Sequence, residues 1–393
     1  MAMTRRMKGG GGRTGYTTGS SATAAAKAAL MAIMSQRAIT TVDITLPGKG
    51  GGLITIPVRE CVFGRDRARC VVVKDGGDDP DVTHGTDIVV DLFVTGESGA
   101  ITIDGGEGVG MVTKPGLGLE IGRPAINPVP KKMITGNLLQ AGDGFFAENG
   151  ARVVVSVPRG RELGPKTDNP RLGIVGGISI LGTSGIVIPF STASYAASIR
   201  QNLDVAVAMN ESTIILTTGG RSEDFARSEI AGLPEHCFVQ MGDFVGYSVR
   251  ECAKRAGQIK KVYVVGFIGK LAKMAAGVKQ THVKGSKVDM KFLAGLAEEA
   301  GAPDAVIRSI MKANTARHVS EIITANKIDQ FFGLVCREVL MQMTKHVQDR
   351  IALEVVLFDF EGRILARRRS NDDDDYGDDD DDNNNNNGDT DSC

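Results

Sequence analysis

Tryptophan is absent from this 393-residue chain, and aromatic residues make up only 5% of it. The few aromatics are not interleaved with runs of Lys or Arg, so a nucleic-acid surface of stacked bases and paired phosphates is the weaker reading. Six cysteines stand at 61, 70, 237, 252, 336 and 393, and no pair has Cys-x-x-Cys or zinc-ribbon spacing. Scattered thiols suit a reducing compartment. The opening MAMTRRMKGGGG carries basic residues but no apolar signal segment, and the expected location is the cytoplasm. One uncharged stretch, 172–199, is long enough to span a bilayer. Its glycines, hydroxyl residues and Pro189 read better as buried strands and loops, so no membrane partner is expected. Internal repeats are lacking as well.

Glycine, by contrast, is abundant, with 50 residues. Such a count points to tight turns and close backbone approaches. The net charge of −1 conceals an asymmetry. Residues 371–393 hold eleven Asp and no Lys, Arg or Glu, which leaves 46 basic against 36 acidic residues over 1–370. A basic body of that kind is either a solvated surface or the complement of an anionic partner, such as a polycarboxylate or phosphate. The Asp/Asn run itself is low-complexity and expected to be disordered.

The length suggests about two domains. Residues 1–12 read as an arm. Ser20 or Ser21 can cap a helix over about 22–35. The runs VDITLP, LITIPV, RCVVVK, DIVVDLFV and AITID then predict a sheet beside that helix, an α+β pattern. Beyond residue 150 the rhythm changes. RVVVSVP (152–158) reads as a buried strand. Strand, glycine turn and helix then recur three times, at TIILTTGG, CFVQMGDFVG and KVYVVGFIG, which predicts a parallel sheet. Helices follow over 290–347, and 354–368 predicts a hairpin turning at Glu361–Gly362.

Several segments could carry chemistry. GYTTGSSA (15–22) places Thr17, Thr18, Ser20 and Ser21 at a helix start, where free N–H groups suit an anion, or where they simply cap the helix. KDGGDDPDVTHG (74–85) gathers Asp75, Asp78, Asp79, Asp81 and His84. Its spacing is not that of an EF-hand, and a self-capped turn competes with a metal site. IDGGEGVGMVTKPGLG lies between two strand-like flanks and reads as a hairpin rather than a dinucleotide loop. AINPVPKKM reads as a rigid turn, with Lys131 and Lys132 facing a carboxylate or water. LGIVGGISILGTSGIVIP, with Ser179, Thr183 and Ser184, suits either a close ligand or tight packing. GFIGK places Lys270 at a helix start but is too short for a P-loop, and Leu271 stands where the hydroxyl residue belongs.

Taken in order, GYTTGSSATAAAKAA, GGDDPDVTHG, GGEGVGMVTKPGL, PAINPVPKKMI, GIVGGISILGTSGIVIP, TTGGRSE, MGDFVG and GFIGKLAKMAAGVKQTH resemble the CbiD family of cobalamin-biosynthesis methyltransferases. The resemblance covers roughly 13–368. It implies an α+β N-terminal domain (13–150) joined to a Rossmann-like α/β domain (151–347). A C-terminal hairpin (348–370) has open domain membership, and a disordered acidic C-terminal tail covers 371–393. It implies transfer of a methyl group from S-adenosylmethionine to C1 of cobalt-precorrin-5B, giving cobalt-precorrin-6A in the anaerobic route.

The implied partner is an anionic tetrapyrrole, with no nucleic acid and no protein-bound metal, since cobalt travels with the substrate. The oligomeric state, a homodimer included, stays open. Gly182, Thr183, Ser184, Gly185, Thr218, Gly219 and Gly220 are the expected donor-binding residues. Thr17, Thr18, Ser20, Asp81, His84, Asn127, Lys131, Arg221, Lys270, Lys273 and His282 are the expected substrate-binding residues, and no catalytic residue is named. The chain departs from the family pattern at Ser21, Ile188 and Phe267, and position 21 offers no thiol. A noncatalytic corrinoid-binding protein and a phosphate or nucleotide enzyme remain the alternatives.

Overall fold

The alanine-rich segment folds as one long helix, and its composition explains its place. In the computed structural model, which describes residues 12–48, 51–230, 232–282, 286–347 and 350–370, strand β1 (Gly15–Tyr16) leads into α1 (Thr18–Ser35). Ala22, Ala24, Ala25, Ala26, Ala28, Ala29 and Ala32 are all buried. Apolar residues face every side of α1, so the helix lies inside its unit rather than on it. Its cap is Thr17, whose Oγ1 accepts from the Ser20 N–H, so the helix starts at Thr18 instead of near residue 22. Most of the arm and the whole Asp/Asn tail lie outside the described residues.

Strands β2 (Thr41–Thr45) and β3 (Leu53–Pro57) pair antiparallel. The main N-terminal sheet takes β4 (Glu60–Phe63), β5 (Arg67–Val73), β6 (Asp87–Thr95) and β7 (Ile101–Gly105). After the short β8 (Met111–Val112) come helices α2 (Pro128–Ala141) and α3 (Phe145–Glu148). Strand β9 (Gly150–Ser156) then enters the same sheet, giving the order β4-β5-β6-β9-β7. It runs antiparallel to β6 and parallel to β7.

Here the sequence reading needs correction. It set β9 after the 150/151 boundary, yet that boundary cuts a sheet. An apolar run such as VVVSV fits a strand of either sheet, so it alone could not assign β9 to one of them. Pro128 and Pro130 also do not bracket a turn. They occupy the first turn of α2, where a missing N–H costs nothing. Nor is GGEGVG a hairpin: β7 pairs with β9, and β8 pairs with β10. A Cβ at Gly108 or Gly177 would collide with backbone there, because three chain segments cross at this point.

A short helix α4 (Gly160–Leu163) precedes β10 (Ile174–Val175), which pairs with β8. Strand β11 (Ile186–Val187) pairs with β1. The uncharged stretch therefore ends in the first turns of α5 (Thr192–Ala208). No described helix is long and apolar enough to cross a membrane.

The second sheet follows the rhythm read from the sequence. Strand β12 (Thr213–Thr217) leads to α6 (Gly220–Glu229), β13 (Phe238–Gln240) to α7 (Val245–Lys254), and β14 (Lys261–Phe267) to α8 (Ile268–Ala275). Helices α9 (Met290–Glu299), α10 (Asp304–Met311), α11 (Ala316–Ala325) and α12 (Gln330–Val347) intervene before β15 (Ala352–Phe358) and β16 (Ile364–Arg369). The order is β13-β12-β14-β15-β16, parallel except for β16, so the terminal hairpin completes this sheet. Side chains alternate faces. Ile214, Leu216, Val262 and Val264 pack under α5, α7, α8 and α12, while Ile215, Tyr263 and Val265 meet α6.

Candidate active site

The residues singled out in the sequence fall into two groups. The first is a knot around the start of α1. Thr18 Oγ1 donates to the carbonyl oxygens of Ser179 or Leu181 (3.2 and 3.3 Å) and accepts from the Leu181 N–H at 2.9 Å. Ser20 Oγ donates to the Gly185 carbonyl at 2.7 Å, and the Thr17 N–H reaches the same oxygen at 3.1 Å. Thr17, Thr18 and Ser20 are buried. The Thr18 and Ser20 hydroxyls are thus bonded to the backbone of the 179–185 loop, while the Thr17 hydroxyl caps α1. Thr183 and Ser184 at that loop's tip are exposed.

The aspartate loop joins the same knot. The Tyr16 N–H donates to the Asp75 carbonyl at 2.8 Å, Asp75 pairs with Arg13, and Asp79 Oδ1 accepts from the Phe190 N–H at 2.9 Å. Asp81 holds the buried Lys74 at 2.6 Å and accepts from Thr83. Asp78 joins Asp75 on Arg13 by accepting from its backbone N–H at 2.6 Å, while Asp79 and Asp81 serve other partners. Burial opposes ionisation of Asp81, but the Lys74 charge and the hydrogen bonds from Lys74 and Thr83 hold its carboxyl below the ordinary value. His84, half exposed, accepts from the Gly76 N–H on Nδ1 at 3.0 Å, which leaves the ring proton on Nε2. Asn127 is the N-cap residue of α2 but makes no side-chain cap bond. Lys131, one turn on, forms no ion pair among the described residues.

The second group sits at the carboxyl ends of the parallel strands. The turn after β12 is Thr218-Gly219-Gly220. Gly219 is the N-cap of α6 without a side-chain cap bond, and a Cβ there would meet open space. Thr217 Oγ1, in the last residue of β12, is buried and without a hydrogen-bond partner. Lys270 Nζ donates to the Thr218 carbonyl at 2.8 Å and stands 3.3 Å from Asp243 Oδ1. Arg221 bonds the Phe360 carbonyl and lies 5.8 Å from the Phe225 ring and 5.9 Å from the Phe267 ring. Lys273 is buried and donates to the Thr281 carbonyl at 3.0 Å. His282 is exposed. The seven residues read as one donor site are thus divided, with Gly182–Gly185 in the first group and Thr218–Gly220 in the second. No hydrogen bond among the described residues joins the groups.

Several residues here escaped the sequence reading. Tyr195 on α5 stacks on Phe244 (5.0 Å between centroids) and donates to the Gln240 carbonyl at 3.2 Å. Asp168, from the first unit, interacts electrostatically with Tyr195, as does Asp243. Desolvation, reinforced by both carboxylates, raises the Tyr195 phenol. Asp168 keeps one side open to water, yet enough protein surrounds it that desolvation raises its carboxyl. Glu223 adds to the rise and Arg171 opposes it. Arg171 in turn binds Glu223 of α6 at 2.7 and 2.9 Å and the Phe238 carbonyl at 3.2 Å, tying the two units together. MGDFVG, which carries Asp243, was the one sequence signal that pointed here.

One possible set of metal ligands occurs among the described residues: Glu211, His236 and Cys237, whose ligand atoms lie within 4.8 Å of one another. His236 Nε2 is 3.0 Å from Glu211, and its Nδ1 is 3.4 Å from Lys114 Nζ. Burial, with Glu211 beside it, pushes the Cys237 thiol up to about 12. The histidine acts as a strut between Lys114 of the first unit and Glu211 of the second.

A chain with two joined sheets, one mostly parallel with charged side chains at its carboxyl strand ends, has the build of a mixed α/β enzyme for a small molecule. The chain belongs to the CbiD family: the CbiD model matches residues 5–189, and that of the CbiD C-terminal domain matches 280–369. A relative from Geobacillus kaustophilus (strain HTA426), named cobalt-precorrin-5B C(1)-methyltransferase, is 46% identical over 90% of this chain and 94% of its own. One of the same name from Rubrobacter xylanophilus is 46% identical over 91% of each. The crystal structure of the cobalamin biosynthesis protein cbiD from Archaeoglobus fulgidus matches at 28% identity over 74% of this chain and 85% of that one. Its TM-score of 0.36 is too low to bear on the fold.

Proposed function

We propose that this chain transfers a methyl group from S-adenosylmethionine to C1 of cobalt-precorrin-5B, giving cobalt-precorrin-6A. The observation that carries this reading is the likeness, over nine-tenths of the chain, to relatives named for that reaction. The donor supplies an electrophilic methyl group on a sulfonium. The chain has only to hold both reactants in line and keep water away.

The finer reading is that the second unit is Rossmann-like and begins after Pro189. Counted from β12, its strand order is 2-1-3-4-5, which places a switch point between β12 and β14. The uncapped start of α6, the open space at Gly219 and the orphaned Thr217 hydroxyl suit a donor carrying a carboxylate and ribose hydroxyls. Asp168, the unpaired carboxylate near the β13 end, suits the sulfonium charge. The tetrapyrrole then lies toward the knot of the first unit, with Lys131 and Arg221 as candidate partners for its carboxylates.

Anaerobic incubation with cobalt-precorrin-5B and methyl-labelled donor tests the reading. A product heavier by one labelled methyl group, with the label on C1, is expected. Binding of the tetrapyrrole without turnover would instead favour a noncatalytic carrier.

A further inference from the structure

Phe190 is the most exposed large apolar side chain among the described residues, at 77%. It also has φ 54°, a left-handed backbone that an aromatic residue rarely adopts. Two contacts hold it there. Its N–H donates to Asp79 Oδ1 at 2.9 Å, and the next residue, Ser191, caps α5 through the Ser194 N–H. The preceding Pro189 is buried. A strained backbone, pinned on both sides, thus presents an aromatic ring to water, and such strain clusters at ligand sites.

The surroundings indicate what the ring meets. Val82, Leu181 and Ile188 are also exposed, and they belong to loops that hydrogen bonds tie into the same knot. The buried hydroxyls of that knot are consumed internally, so its surface is left to apolar side chains and to Lys131 and Lys132. Lys131 is half-buried, and neither lysine forms an ion pair among the described residues. Exposed apolar side chains, with cations elsewhere on the same unit that form no such pair, complement a planar macrocycle carrying peripheral carboxylates.

We propose that Phe190 is the stacking platform for one face of the tetrapyrrole substrate, with Lys131 pairing a carboxylate at the ring's edge. This rests on the methyltransferase reading above.

The test is anaerobic calorimetry of cobalt-precorrin-5B and of S-adenosylhomocysteine with the wild type, Phe190→Gly and Phe190→Leu, together with thermal melts and sedimentation. Phe190→Gly is expected to bind the tetrapyrrole about tenfold more weakly. It keeps its affinity for S-adenosylhomocysteine and melts no lower than the wild type, because glycine accepts the left-handed backbone. Phe190→Leu retains part of the affinity. A wild type that binds the tetrapyrrole and a glycine variant that binds it equally well would overturn the platform alone. So would a wild-type dimer that Phe190→Gly dissociates, which would assign the ring to a second copy. If the wild type binds no tetrapyrrole, the platform and the function fall together.

Discussion

Lys270 reaches across the mouth of the second sheet to the carbonyl oxygen of Thr218, 2.8 Å away. The first residue lies in the first turn of α8, just after β14, and the second follows β12, so one ammonium group ties the two strand ends that flank the switch point. Asp243, after β13, stands 3.3 Å from the same ammonium and accepts from Thr281 Oγ1 at 2.9 Å. The lysine read from the sequence as a partner for substrate carboxylates is thus already engaged. Its charge is held by Thr218 and Asp243 at the strand ends.

Lys270→Met should therefore disturb donor binding more than substrate binding. Loss of a charge-assisted hydrogen bond is worth roughly 1.5–3 kcal/mol. Calorimetry with S-adenosylhomocysteine should show affinity reduced about tenfold or more. Unchanged affinity would move the donor away from these strand ends.

The sequence made the second sheet legible because β12, β13 and β14 each lead into a helix with glycine at or near the junction. It misled at β9, whose neighbours β6 and β7 lie far from it in the chain, and at α2, where two prolines masked a helix start. The knot was half legible. Thr17, Thr18 and Ser20 were recognisable as hydroxyls at a helix start. The partners of the Thr18 and Ser20 hydroxyls are backbone atoms of a loop more than 160 residues away, as in Thr18 to Ser179, and no local pattern reports such a pairing. Asp168 and Tyr195 stand alone in unremarkable segments, and only the joining of the two units brings Asp168 within electrostatic reach of Tyr195.

Glu223→Ala should loosen that joining. Glu223 is buried and holds both Arg171 and Arg227 at 2.7 Å. Removing it leaves Arg171 without its carboxylate partner, at a cost of about 3 kcal/mol. Urea unfolding should shift to a lower midpoint and split into two phases as the units uncouple. Glu223→Gln, which keeps hydrogen-bonding capacity, should lose less.

Asp81→Asn tests the buried ion pair beneath the aspartate loop. Lys74 is 2% exposed, and Asp81 neutralises it at 2.6 Å. An uncompensated buried ammonium costs about 3–5 kcal/mol. The Asp81 carboxyl lies below its ordinary value when folded. Its stabilising contribution is present above the unfolded value, about 3.9, and fades as pH falls through the lower folded value. Wild-type stability should thus fall in acid, and the variant should be less stable at pH 7 with a flatter acid limb. Equal stability at pH 7 would refute the pairing as a structural support.

Asp168→Asn should have the opposite sign. Desolvation raises this carboxyl in the folded chain, Glu223 adds to it, and Arg171 only partly offsets them. A folded value above the unfolded one means that the native state holds the proton more tightly. Stability is then greatest below the unfolded value and declines as pH rises through the folded one. At neutral pH the ionised carboxylate is a burden on the fold, and Asn should raise the melting temperature while flattening the decline above pH 4. Such a burden is retained where it serves a site. Asp168 makes no hydrogen bond or ion pair through its side chain among the described residues, and its charge acts on Tyr195. Methyl transfer should therefore drop at least ~10-fold in the variant, a loss of charge stabilisation at the reacting centre. A variant that is more stable and equally active would leave Asp168 without a part in the reaction.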